Sequence, residues 1–170
     1  RWGRTGETYG EDPFLTSELV KEAIRGYQGN ENPFKKVAVS VKHLVGGGAS
    51  VGGCNHASAE LSERALRSYF LPPFKAAIEA GCMTIMPGHN DITGVPVHAS
   101  KWFLTDIIKQ EYGFKGFFIS DMGDVENLAT SLHQIAENQK EAVCKSVNAG
   151  LDMHMYSADS ARFVSPLVEL

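Results

Sequence analysis

The sequence predicts an α/β protein: short buried strands alternating with amphipathic helices around a parallel sheet. Two kinds of segment lead to this reading. Brief runs of apolar and β-branched residues suit strands buried on both faces. Longer segments repeat their apolar residues at helical spacing. The two take turns along the chain about four times.

Asp12-Pro13 opens the first helix, an N-cap followed by proline in the first turn. Leu15, Leu19, Val20, Ala23, Ile24 and Tyr27 mark one of its faces, and Gly29 and Asn30 end it. The first strand is 37–41 (VAVSV), followed by a glycine-rich functional loop, Gly46-Gly47-Gly48 and Gly52-Gly53. Ser62 caps a second helix, which Pro72-Pro73 interrupts; a further helix runs from there to Gly81. Residues 82–86 (CMTIM) form the second strand and 91–96 a turn-rich loop. Ser100 caps a helix closed by Gly113, and 117–120 (FFIS) is the third strand. Residues 137–149 are helical up to Gly150, 151–155 form a fourth strand, and Ser160 begins a last helix. An open doubly wound sheet and a (β/α)8 barrel both fit this order.

The chain has 170 residues, 43% hydrophobic and 21% charged, with a net charge of −4. Nothing in that balance attracts nucleic acid or an anionic membrane surface, and no apolar run is long enough for a membrane span. Cys54, Cys82 and Cys144 are odd in number and irregularly spaced, which argues against a disulfide framework. Cys82 and Cys144 read as small core residues.

Polar residues gather just after the strands. Lys42 and His43 follow the first, His89 and Asn90 the second and Asp121 the third, while His154 lies in the fourth. In a parallel α/β fold these ends converge on one face, where ligands bind. Each could separately be a satisfied loop residue; four strand ends together make a site. Asp121, a carboxylate on a rigid strand end ahead of Met122-Gly123, suits a nucleophile or general base. Asp124 reads as a helix N-cap and Asp152 as structural. There is no GxGxxG motif, phosphate loop or nucleophile elbow. The six histidines lack the i, i+4 spacing of a helical zinc site. No metal or other cofactor is expected, although scattered strand-end histidines leave an ion site open.

Six segments in order resemble glycoside hydrolase family 3: RWGRTGETYGEDP (1–13), VKH (41–43), LSERALRSYFLPPF (61–74), MPGHNDITGVP (86–96), LTDIIKQEYGFKGFFISD (104–121) and NAGLDM (148–153). They lie closest to the β-glucosidase branch. The proline- and histidine-containing loop of the N-acetylglucosaminidase branch is missing. The resemblance implies that residues 1–170 are part of a (β/α)8 TIM-type barrel, about four βα units cut at both ends. It implies retaining hydrolysis of terminal β-D-glucosyl or related β-glycosyl residues by the parent protein. The sequence leaves the compartment unknown, with a periplasmic or secreted parent favoured. Asp121 matches the nucleophile; Arg4, Lys42 and His43 match residues that hold sugar hydroxyls. His89 and Met122 should shape the sugar subsite. They depart from the family, which commonly has tyrosine at the first position and tryptophan or tyrosine at the second, as Cys54 departs from arginine.

Adjacent strand residues point to opposite faces. Lys42 and His43 can therefore share the site only if the backbone leaves regular extension there. Four strands are half a barrel, so the partners expected are a β-glycoside substrate, the remaining strands and a second α/β domain carrying the acid. Pairing with another copy would also cover the open edges. Alone, the chain is expected to be a catalytically incomplete sugar-binding or structural piece. If it contains its own acid, Glu11, Glu60 and Glu63 are the first candidates.

Overall fold

A computed structural model describes every residue except Arg1, Asn30, Glu31, Ser131, Ser157 and Ala158. The start of the first motif at Arg1 and the helix stop at Asn30 therefore lie outside the described residues. Helix α1 spans Pro13–Gln28, and Asp12 caps it by accepting from the Leu15 N–H at 2.7 Å. Val20 and Ile24 face the core, but Leu15, Leu19 and Tyr27 are exposed, so the buried stripe is narrower than the sequence pattern suggests.

Strands β1 (Ser40–Leu44), β2 (Thr84–Pro87) and β5 (Phe117–Phe118) form a parallel sheet in the order β1-β2-β5. The first strand begins later than expected. Val37 is exposed, and Lys42 and His43 lie inside β1 instead of after it. The anticipated departure from regular extension is present. The β1–β2 register shifts between Lys42 and Leu44, and the Lys42–His43 and Leu44–Val45 peptides are cis. The fourth strand is reduced to one bridge, Met153 to Ile119, because residues 151–155 have a ladder partner on one side only among the described residues. The loop at 91–96 is a hairpin of β3 (Asp91–Ile92) and β4 (Val95–Pro96). Its turn residues Thr93 and Gly94 both have positive φ, as the tightest hairpins require.

The helices follow the predicted order. Ser62 caps α2 (Glu63–Ala65), which widens into a π-type turn at Leu66–Phe70, and α3 is Pro72–Glu79. The segment expected as an ordinary helix after Ser100 is π-wound over Trp102–Glu111, while still burying Phe103, Leu104, Ile107 and Ile108. Helices α4 (Asp124–Asn127), α5 (Gln139–Ala149) and α6 (Ala161–Val168) complete the chain. The core packs Leu44, Ile85 and Phe118 of the sheet against these helices. Cys82 is buried, Cys144 partly so, and both are free thiols, as is the exposed Cys54. Burial pushes the Cys82 thiol up to about 12.

Gly116 marks the tightest approach before the site. A Cβ there would run into the Met83 carbonyl and the Phe114 ring, just where β5 enters the sheet. Gly113 has φ +71° but open space around it. In the full-length protein, Gly116→Ala is expected to cost about 3 kcal/mol or more by overpacking. Gly113→Ala is expected to cost about 1–2 kcal/mol by strain. Thermal melts of the two variants check the order; equal shifts would contradict the clamp at Gly116.

Candidate active site

The sheet order places β2 between β1 and β5, so the carboxyl ends of three neighbouring strands present their side chains together. Asp121 stands beyond β5 and accepts from the Met122 N–H at 2.7 Å through Oδ1. Its Oδ2 faces two imidazoles. His43 Nε2 from β1 is 3.1 Å away, and His89 Nε2 from the loop after β2 is 3.0 Å away. Neither is aligned as a straight hydrogen bond. Buried Oδ2 is therefore an acceptor without a hydrogen-bond partner among the described residues.

The other predicted contacts extend from His43. Arg4 Nη2 lies 3.2 Å from His43 Nε2, and Arg4 grips Glu7 through both carboxylate oxygens at 2.7 and 2.8 Å. Glu7 is what neutralises the guanidinium there. Lys42 Nζ reaches the same Glu7 at 3.2 Å, and the two cations hold the Glu7 carboxyl down at about 2. The sequence-predicted Arg4, Lys42, His43, His89 and Asp121 thus form one connected cluster. Beside it, Trp2, Glu7, Lys42, His43 and Gly47 wall a cleft of about 720 Å³ that runs on along α1. Met122 is exposed next to the nucleophile candidate and touches the cluster through its main chain.

Burial opposes ionisation of Asp121, but the His43 and His89 imidazoles and the Met122 N–H outweigh it. They hold its carboxyl far below the usual carboxylate range. Burial alone would lower the pKa of His89. Asp121 on one side and Asp124 on the other, whose Oδ2 lies 2.9 Å from His89 Nδ1, push it instead up to about 9. His89 is therefore a cation between two carboxylates at neutral pH.

Two readings from sequence need correcting. Asp124 is not an N-cap: Gly123 holds that position. The Asp124 side chain is buried, bound to His89 and to Asn127 Nδ2 at 2.9 Å. His154 lies with Glu126, at 3.1 Å, and stacks on Phe163, so it stands apart from the Asp121 cluster. Asn90 is likewise structural, donating to the Val45 and Asp91 carbonyls. Asp152 is structural as expected, accepting from Lys109 and from the Phe118 N–H.

The sequence reading counted His98 only among the six histidines without zinc spacing and gave it no place in the site. It is 2% exposed, and its Nε2 accepts from the Asp121 N–H at 3.1 Å. Burial keeps its pKa down to about 4, so the ring is neutral. With Nε2 accepting, the proton sits on Nδ1, which faces Asp124 Oδ2 at 3.5 Å. Only its place as one polar residue between apolar Val97 and Ala99 hinted at a satisfied core histidine.

The model of the glycosyl hydrolase family 3 N-terminal domain matches residues 1–170. The chain belongs to glycosyl hydrolase family 3. A β-xylosidase of Formosa agariphila is 46% identical to it, across 91% of this chain and 22% of that protein. A periplasmic β-glucosidase of Salmonella typhimurium is 33% identical, across 99% and 22%. A β-glucosidase structure from Erythrobacter marinus superimposes with a TM-score of 0.92 at 36% identity, across 99% of this chain and 23% of that one. This family 3 chain thus spans about a fifth of the length of the relatives it matches, and its α/β architecture is part of their TIM-type barrel.

His98 gives this part of the barrel a testable anchor. His98→Leu removes the acceptor of a buried N–H and should cost about 1–3 kcal/mol. His98→Gln, which can still accept, should recover part of that. Chemical denaturation of the full-length variants checks it; equal losses would place His98 in packing alone.

Proposed function

We propose that residues 1–170 are part of the barrel domain of a retaining β-glycosidase in which Asp121 is the nucleophile. The observation that carries this reading is the state of Asp121. It is a strand-end carboxylate held ionised by two imidazoles, with one oxygen free of any hydrogen bond among the described residues. A carboxylate so placed can attack an anomeric carbon, displace the leaving oxygen and form a glycosyl ester that water then cleaves. Lys42, Arg4 and His43 supply donors for sugar hydroxyls, and a site built on such donors selects against sugars lacking them.

The proton donor comes from outside these residues on this reading. Asp124 is locked by His89 and Asn127, and Glu126 faces His154. Glu63 pairs with Arg67, and Glu60 accepts from Ser58. Glu11 lies exposed along the cleft. The substrate class is a terminal β-D-glucoside or β-D-xyloside, a range that the named activities of the relatives support. The acid and the remaining wall of the subsite are supplied by the rest of the complete protein.

Two experiments on the full-length protein test this. Asp121→Ala should lower kcat/KM by more than about a thousandfold, about 4 kcal/mol of transition-state stabilisation. Azide should restore turnover of an activated aryl β-glycoside as the inverted glycosyl azide, because the anion fills the place of the lost carboxylate. Near-normal activity without azide would refute the assignment. Met122→Trp should change the ratio of glucoside to xyloside hydrolysis more than it changes the melting temperature. An unchanged ratio would remove Met122 from the subsite.

A further inference from the structure

We propose that His56, His89 and Asp124 form a three-ligand site for a divalent transition-metal ion of the zinc class, set directly behind the Asp121 cluster. One donor atom from each lies within 4.8 Å of the others. They arrive on three separate segments: the glycine-rich loop after β1, the loop after β2, and the first residue of α4. Two imidazoles and a carboxylate suit Zn²⁺, Cu²⁺ or Ni²⁺ far better than Mg²⁺ or Ca²⁺, which take oxygen donors.

The spacing is close to what such an ion needs. His89 Nδ1 and Asp124 Oδ2 are 2.9 Å apart. Zinc bonds of about 2.0–2.2 Å at a tetrahedral angle set neighbouring donors roughly 3.3–3.5 Å apart, so this pair opens by about half an ångström while His56, whose donor lies within 4.8 Å of the others, closes in by up to about an ångström or more. The His56 and His89 rings are already adjacent, with centroids at 4.4 Å and planes tilted by 32°.

Burial is graded in the way an open metal site requires. Asp124 is 1% exposed, His89 is partly buried and His56 is exposed, leaving the His56 side free for water as a fourth ligand. Outer contacts hold the Asp124 side chain and the main chain at His89. Asn127 Nδ2 holds Asp124 Oδ1 at 2.9 Å, and His133 Nε2 lies 3.1 Å from the His89 carbonyl. The far nitrogen of His89, Nε2, faces Asp121 Oδ2 at 3.0 Å. To take the ion, His89 gives up the Nδ1 proton that now faces Asp124, so binding releases a proton. The ion-pair partners of Asp124 among the described residues are imidazoles, with no lysine or arginine to occupy the position.

The test uses the full-length protein, stripped with a chelator and desalted, and titrated with ZnCl₂ against a chromophoric zinc indicator. One equivalent should bind in the micromolar range or tighter. His56→Ala, an exposed position, should weaken binding by at least about tenfold while the melting temperature without metal stays close to that of the parent. Anomalous scattering from a zinc-soaked crystal should place the ion between the three side chains. No stoichiometric binding, or equal binding by parent and His56→Ala, would overturn the site. Binding is read without any substrate. Zinc captured through His56 by a protein that hydrolysed no glycoside would uphold this site and refute only the nucleophile assignment.

Discussion

The candidate site depends on one buried arrangement of charge: a histidine, His89, held between two carboxylates, Asp121 and Asp124. Either carboxylate alone in that environment would be driven toward its neutral form, because desolvation disfavours charge. Placed on opposite edges of one imidazole, both remain ionised and the ring is protonated. The arrangement is coupled, so no member can be altered without changing the charge state of the others. His43 adds a second imidazole on the other side of Asp121, and Arg4, Glu7 and Lys42 continue the alternation of sign to the surface.

The fold serves this arrangement through strand order. Asp121, His43 and His89 are far apart in sequence, yet parallel neighbours β1, β2 and β5 end side by side. The main chain at Asp121 is fixed from three sides. His98 accepts its N–H, Asp124 donates its own N–H to the Asp121 carbonyl at 3.3 Å, and the preceding Ser120 donates its N–H to Met153 at 2.8 Å. A carboxylate anchored this way loses little freedom when it meets a reacting atom.

Much of this was legible in the sequence, and for identifiable reasons. Helix ends were readable where a side chain caps them, as at Asp12 and Ser62, because capping is local chemistry. The grouping of Lys42, His43, His89 and Asp121 followed from the rule that parallel strands present one common end. The break in extension at Lys42–His43 followed from strand alternation. What could not be read depends on contacts across the fold. The pairing of Asp124 with His89 spans 35 residues, and that of His98 with the Asp121 main chain spans 23. No local pattern distinguishes either residue from an N-cap or an ordinary core histidine. The fourth strand shrank to a bridge for a related reason: a strand is defined by its neighbours, and residues 151–155 have one on a single side among the described residues.

The central claim is that the charge-held carboxylate of Asp121 is the atom group that bonds to the sugar. Covalent trapping tests it most directly. The full-length protein is incubated with a 2-deoxy-2-fluoro β-glucoside bearing a good leaving group, digested, and mapped by mass spectrometry. The account predicts one added fluoroglucosyl group on the peptide containing Asp121, with fragmentation placing it on that side chain. The same label on Asp124, Glu126 or any other carboxylate, with Asp121 unmodified, would contradict it.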